Sequence, residues 1–110
     1  MYFALVKFQG TLLVFHRYQH NHTAILRADQ QAQAAAALAN LARESEDNRK
    51  SIVDANGIVP LLVLLESSST KAKENSVGAI TELCRGSKDN QNVIQKAGGI
   101  PRLVGVLALF

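Results

Sequence analysis

The pattern of hydrophobic and polar positions over residues 47–65 returns about 42 residues later. The segment DNRKSIVDANGIVPLLVLL recurs as DNQNVIQKAGGIPRLVGVL, residues 89–107. One extra residue, Val59, shortens the offset to 41 for the second half of the match. A period of about 40 residues with helical apolar spacing is typical of an α-solenoid. The pattern therefore predicts an all-α chain of stacked helical units.

Capping residues predict a short helix at the start of each unit. Ser45 and Ser87 stand 42 residues apart, each where a serine side chain can cap a first helical turn. Gly57, preceded by Asn56, is predicted to end the first short helix, because a left-handed terminal residue is tolerated mainly in Gly or Asn.

Two further helices are predicted in the unit. Pro60 suits the first turn of a helix over about residues 59–66, which is apolar on nearly every side and is predicted to be buried. A longer helix is predicted over about residues 71–85, stopped by Gly86.

An alanine-rich helix is predicted over residues 29–45. Asp29 can cap its start, and alanine has the highest helix propensity. Its predicted apolar stripe consists of Ala34, Ala35, Leu38, Leu41 and Ala42.

Residues 1–28 differ from the rest in composition. Five of the six aromatic residues lie in the first 18 positions, in two apolar runs that fit a hairpin or a broken helix. We predict an apolar leader that covers the open end of the solenoid, with an anchor on a membrane surface as the alternative. Neither a secretory signal nor a span of about 20 apolar residues is recognisable.

Candidate metal ligands are confined to this leader. His16 and His20, four residues apart and close to His22, could share a helical face and bind zinc. No cysteine or carboxylate lies nearby to complete the ligand set, so neither a metal site nor a cofactor is predicted.

The net charge of +3 does not indicate nucleic-acid binding. Residues 29–110 hold nine Lys or Arg and nine Asp or Glu, whereas nucleic-acid binders concentrate basic residues on one face. The single cysteine, Cys84, excludes an internal disulfide and fits a reducing compartment. A cytoplasmic or nuclear location is therefore expected.

The repeated segments resemble the armadillo repeat family. GGIPRLV, residues 98–104, resembles the family's Gly-x-Ile-Pro-x-Leu-Val motif, and GIVPLLV, residues 57–63, is similar with Val59 at the isoleucine position. ENSVGAITELC and QAAAALANLA, which end at Cys84 and Ala42, look like the family's third helix. The resemblance implies a right-handed α-solenoid of three-helix armadillo-type repeats, truncated at both ends.

This resemblance implies a division of the chain into four parts. They are the atypical leader (1–28), the third helix of a partial repeat (29–45), a complete repeat (46–86), and the first and second helices of a partial repeat (87–110).

A polar ladder is the candidate binding surface. Helical spacing and the 42-residue period place one set of residues off the apolar stripes: Gln33, Ala36, Asn40, Arg43, Asn75, Gly78, Glu82 and Arg85. Amide side chains in such a ladder can bond a ligand's backbone, although a solvated helix face explains the same pattern.

The resemblance implies that this ladder lines a concave groove, which in the family binds extended peptides or partner proteins. Importin-like members carry Trp and Asn four residues apart on the third helix. Ala36 and Asn40, then Gly78 and Glu82, look like those positions here, and only Asn40 is kept. Recognition of nuclear signals in the importin manner is not expected.

Catalysis is not expected, because no nucleophile-elbow or phosphate-loop motif is present. Two functions remain: a protein- or peptide-binding scaffold, or a structural fragment of a longer array without independent activity. Only one predicted unit is complete, and solenoids usually need three or more repeats with polar ends. Association of copies through exposed ends is therefore expected.

Overall fold

A computed structural model describes the backbone of residues 9–108 and the side chains of residues 27–108. Throughout this part the chain is helical, which confirms the predicted all-α class. The helices are α1 (Gln9–Glu44), α2 (Glu46–Asp54), α3 (Ile58–Leu64), α4 (Thr70–Cys84), α5 (Lys88–Lys96) and α6 (Gly99–Leu107). None of these described helices combines the length and the apolar character needed to cross a membrane.

Helix α1 does not begin at Asp29, as predicted, but at Gln9. Asp29 lies within the helix and is exposed. The preceding residues 24–28, AILRA, are themselves good helix formers, so no new start is required at a residue that can act as a cap. From residue 9 onward, the broken helix or hairpin expected in the leader is one continuous helix.

Other predictions on the leader fall outside the described residues. They concern the first eight residues, the covering of the open end, the membrane-surface alternative, and the side chains of the three histidines.

The start of each short helix is tied to the end of the helix before it. Ser45 Oγ accepts a hydrogen bond from the Asn48 backbone N–H (3.0 Å), while Asn48 Nδ2 donates to the Leu41 carbonyl (2.9 Å). The same two bonds, at 3.1 and 2.8 Å, are formed 42 residues later by Ser87, Asn90 and Leu83. They satisfy an unpaired N–H at one helix start and a carbonyl at the previous helix end. Both serine caps are thus confirmed.

The end of α2 confirms the predicted break, with its two requirements divided between neighbouring residues. Asn56 adopts the left-handed conformation, with φ at 61°, whereas Gly57 has φ at −76°. Gly57 instead permits close approach, because a Cβ there would lie 2.8 Å from Ile52 Cγ2 and 2.9 Å from the Ile52 carbonyl oxygen. After α5, the left-handed residue is Gly98 and the close approach falls to Gly99.

Helix α4 lies at the centre of the packing, against α1 and α3. The core joins small residues of α1 to larger aliphatic residues of the helices that follow. Its buried members are Ala35, Ala39, Ala42, Ile52, Ile58, Leu61, Leu62, Leu65, Ala79, Ile80, Leu83 and Ile94. The alanine row allows the axes of α1 and α4 to approach closely.

The buried stripe of α1 differs from the predicted one. It consists of Ala32, Ala35, Ala39 and Ala42. Leu41 is 49% exposed, Ala34 is exposed and Leu38 is half-buried. Small side chains, rather than the largest apolar ones, form the contact surface because α4 packs directly onto them.

Helix α3 is buried on one side only, contrary to the expectation that it is enclosed. Leu61 and Leu62 have at most 2% of their surface exposed, but Val59 and Val63 are 54% and 52% exposed. Burial therefore follows the position of α4 rather than the apolar character of the helix as a whole.

Candidate functional site

The predicted polar ladder runs along two helices that lie side by side. Asn75 Nδ2 on α4 donates to the Ala32 carbonyl on α1, with an N–O distance of 2.8 Å. Further along both helices, Arg43 Nε lies 3.4 Å from Glu82 Oε2. Because both contacts advance in the same chain direction, this part of α1 runs parallel to α4, and its ladder residues face those of α4.

Four of the eight ladder residues form one connected cluster, which we call the arginine cluster: Asn40, Arg43, Glu82 and Arg85. Arg43 Nε and Arg85 Nη2 both donate to Glu82 Oε2, at 3.4 and 3.2 Å. Arg43 Nη1 also donates to Asn40 Oδ1, at 2.9 Å. The cluster joins the C-terminal parts of α1 and α4.

The charges of the arginine cluster differ strongly in exposure. The Glu82 side chain is 11% exposed, while those of Arg43 and Arg85 are 57% and 66% exposed. A carboxylate so far from water needs charged hydrogen-bond donors, and the two guanidinium groups supply them. The anion lies beneath, and the cations lie at the surface.

The other four ladder residues do not join this cluster. Gln33 is exposed, and Ala36 and Gly78 are half-buried. A Cβ built on Gly78 meets no atom within 4 Å, so the surface is open there. Asn75 is half-buried and binds the backbone of α1, so its amide joins the two helices. A role in ligand binding stays a prediction for all eight residues.

Sequence reasoning placed Glu82 on the ladder but missed its burial and its pairing with Arg43. One signal was available, because Arg85 follows Glu82 at the i,i+3 spacing of helical ion pairs. Leu83, one residue further on, is fully buried, so Glu82 lies at the edge of the buried stripe.

A second cleft of about 600 Å³ lies between α2, α5 and the end of α4. Its lining carries equal numbers of acidic and basic residues: Glu46, Asp47, Asp54, Asp89, Arg49, Lys50, Arg85 and Lys88. Arg49 Nη1 donates to the Ala42 carbonyl at 2.7 Å, and Lys50 pairs with Asp54 at 3.1 Å. These bonds hold the helices together, and no excess of one charge points to a ligand.

Reactive groups and metal ligands offer no competing site in the described part of the chain. Cys84 is half-buried, and burial raises the pKa of its thiol, which favours the unreactive protonated form. Among the side chains of residues 27–108, no three His, Cys, Asp or Glu groups lie close enough together to hold a metal ion.

One protein family matches this chain. Residues 45–85 match the armadillo/beta-catenin-like repeat. The matched segment begins at Ser45, the cap of α2, and ends just after α4, so it contains α2, α3 and α4. No curated protein and no solved structure matches the chain significantly.

Proposed function

Because residues 45–85 are an armadillo/beta-catenin-like repeat, we propose that this chain is a protein-interaction scaffold that binds an extended peptide along α1 and α4. Armadillo repeats generally belong to scaffolds without catalytic activity that bind proteins or peptides. In this proposal, α2, α3 and α4 form one three-helix unit of a right-handed solenoid. Helices α1 and α4 line its concave side.

The single observation that carries this proposal is the arginine cluster across the two helices. Arg43 Nη1 donates to Asn40 Oδ1, so the acceptor side of this exposed amide is occupied. Its NH₂ group remains to donate to a ligand, and a carbonyl oxygen is the acceptor that every peptide backbone presents. Ala36, one turn before Asn40, and Gly78 on α4 leave room for such a backbone beside it.

The Asn40→Ala variant tests this proposal. Peptides are first selected on the full chain from a random display library, and their affinities are then measured by fluorescence anisotropy. Loss of one net hydrogen bond is expected to weaken binding about fivefold. The melting temperature should not change, because Asn40 is exposed.

Asn92→Ala is the matched control, since Asn92 is an exposed asparagine on α5, outside the ladder. Equal affinities of the two variants would place the bound peptide elsewhere. If no peptide is selected on the folded chain, the proposed function is wrong.

We also propose that copies of the chain associate through α6. Ile100 and Val104 are each 56% exposed, and Leu107 is 72% exposed. Burying such side chains against each other is favourable. Sedimentation at rising concentration should show dimers, and Val104→Lys should weaken them. Val93→Lys on α5, at a valine 40% exposed, should not, and a monomer at every concentration would contradict this.

A further inference from the structure

The sign of charge that the arginine cluster offers to a ligand is decided by burial. The Glu82 side chain is 11% exposed and already accepts hydrogen bonds from two arginines, so a basic ligand group cannot reach it without displacing them. The guanidinium groups of Arg43 and Arg85 are more than half exposed. With one carboxylate beneath two guanidinium groups, the cluster carries a net charge of +1 and presents its positive side.

The two guanidinium groups keep unused hydrogen-bonding capacity. Each has five N–H donors in a fixed plane. Within the described side chains, Arg43 donates to Glu82 and Asn40, and Arg85 donates to Glu82. The remaining donors can bind an acceptor that arrives from solvent.

The two arginines are also held close to one another before any ligand binds. Arg43 Nε and Arg85 Nη2 both lie within 3.4 Å of the same oxygen, Glu82 Oε2. One incoming carboxylate can therefore contact both guanidinium groups. Because Glu82 restricts both side chains beforehand, less conformational entropy is lost on binding.

We propose that the groove selects an acidic peptide, with an Asp or Glu carboxylate of the ligand bound between Arg43 and Arg85. The inference rests on the proposed scaffold function and specifies its ligand. Asn40 and Arg43 lie about one helical turn apart, roughly 5–6 Å, and an extended peptide advances about 3.4 Å per residue. The acidic residue therefore lies within about two residues of the backbone carbonyl that Asn40 binds.

The charge balance favours a peptide over a nucleic acid. Residues 29–110 carry equal numbers of basic and acidic residues, and the arginine cluster adds only one net charge at this surface. Nucleic-acid affinity is built from several phosphate contacts. A single net charge suits one carboxylate.

The ligand side is tested first, on the unmodified full chain. Peptides selected from a random 12-residue display library should be enriched in Asp or Glu at one position. One selected peptide is then synthesised with Glu, Gln or Lys at that position. The Gln peptide should bind about five- to tenfold more weakly than the Glu peptide, and the Lys peptide more weakly still. Added salt should reduce this preference.

The protein side is tested with Arg43→Gln and Arg85→Gln. Each should reduce the preference for the Glu peptide over the Gln peptide to about twofold or less, because a charged donor is lost. Arg85→Lys keeps the charge and should keep part of the preference. Lys50→Gln is the matched control: it removes one positive charge from α2, where the Lys50 side chain is 76% exposed, and should leave the preference unchanged.

The outcomes separate this inference from the proposed function. Selected peptides without an acidic preference would overturn the inference and leave the scaffold function standing. If no peptide is selected, both are overturned. Displacement of the Glu peptide by single-stranded DNA at lower concentration than by free Glu peptide would overturn the inference in favour of a nucleic-acid ligand. The ligand series uses the unmodified chain, so it decides the question even if an arginine variant fails to fold.

Discussion

Replacing Leu62 with alanine is expected to lower the free energy of unfolding by about 2–5 kcal/mol. The Leu62 side chain is fully buried among α3, α4 and the start of α6. Its Cδ2 atom lies 3.3 Å from the position that a Cβ on Gly99 would occupy, so it also contacts the unit that follows. The substitution leaves a cavity that α3 cannot close without separating from α4. Urea denaturation followed by circular dichroism measures the effect.

Leu41→Ala provides the control, because it removes the same atoms from a leucine that is 49% exposed. Its effect should stay within about 0.5 kcal/mol, as for other surface positions. Similar losses in the two variants would mean that α3 is not the buried element of this packing.

Local signals in the sequence predicted most helix boundaries. Ser45 and Ser87 act through hydrogen bonds to residues three positions away, and Gly86 acts through its own backbone conformation, with φ at 66°. Such effects depend on neighbouring residues and can be read along the chain. The start of α1 was missed because a helix continues through a capping residue when the residues before it also favour helix.

The arginine cluster could be predicted only in part. The 42-residue period placed Asn40 and Glu82 at equivalent positions, but the contact that forms joins Arg43 to Glu82, which are 39 residues apart. That difference reflects the stagger between α1 and α4, which depends on how the alanine row packs. Burial of Glu82 follows from the same packing, so the sign of the exposed charge could not be read from the sequence.

Replacing Gly57 with alanine is expected to lower the free energy of unfolding by about 1–3 kcal/mol through overpacking. Its φ of −76° suits any residue, so backbone conformation does not oppose the change. The added Cβ would lie 2.9 Å from the Ile52 carbonyl oxygen, which accepts the Gly57 N–H at 2.9 Å. Relief requires the backbone to move, and this strains that bond and the packing of Ile52 and Ile58, both buried.

Gly105→Ala in α6 separates this clash from the general effect of adding a methyl group. A Cβ at Gly105 meets no atom within 4 Å, and alanine is favoured over glycine inside a helix by about 0.5–1 kcal/mol. The two substitutions should therefore change the urea midpoint in opposite directions. If Gly57→Ala raises the midpoint as Gly105→Ala does, then α2 and α3 do not approach as closely as the Ile52–Gly57 contact implies. The conserved offset between Gly57 and Gly99 would then need an explanation other than close packing.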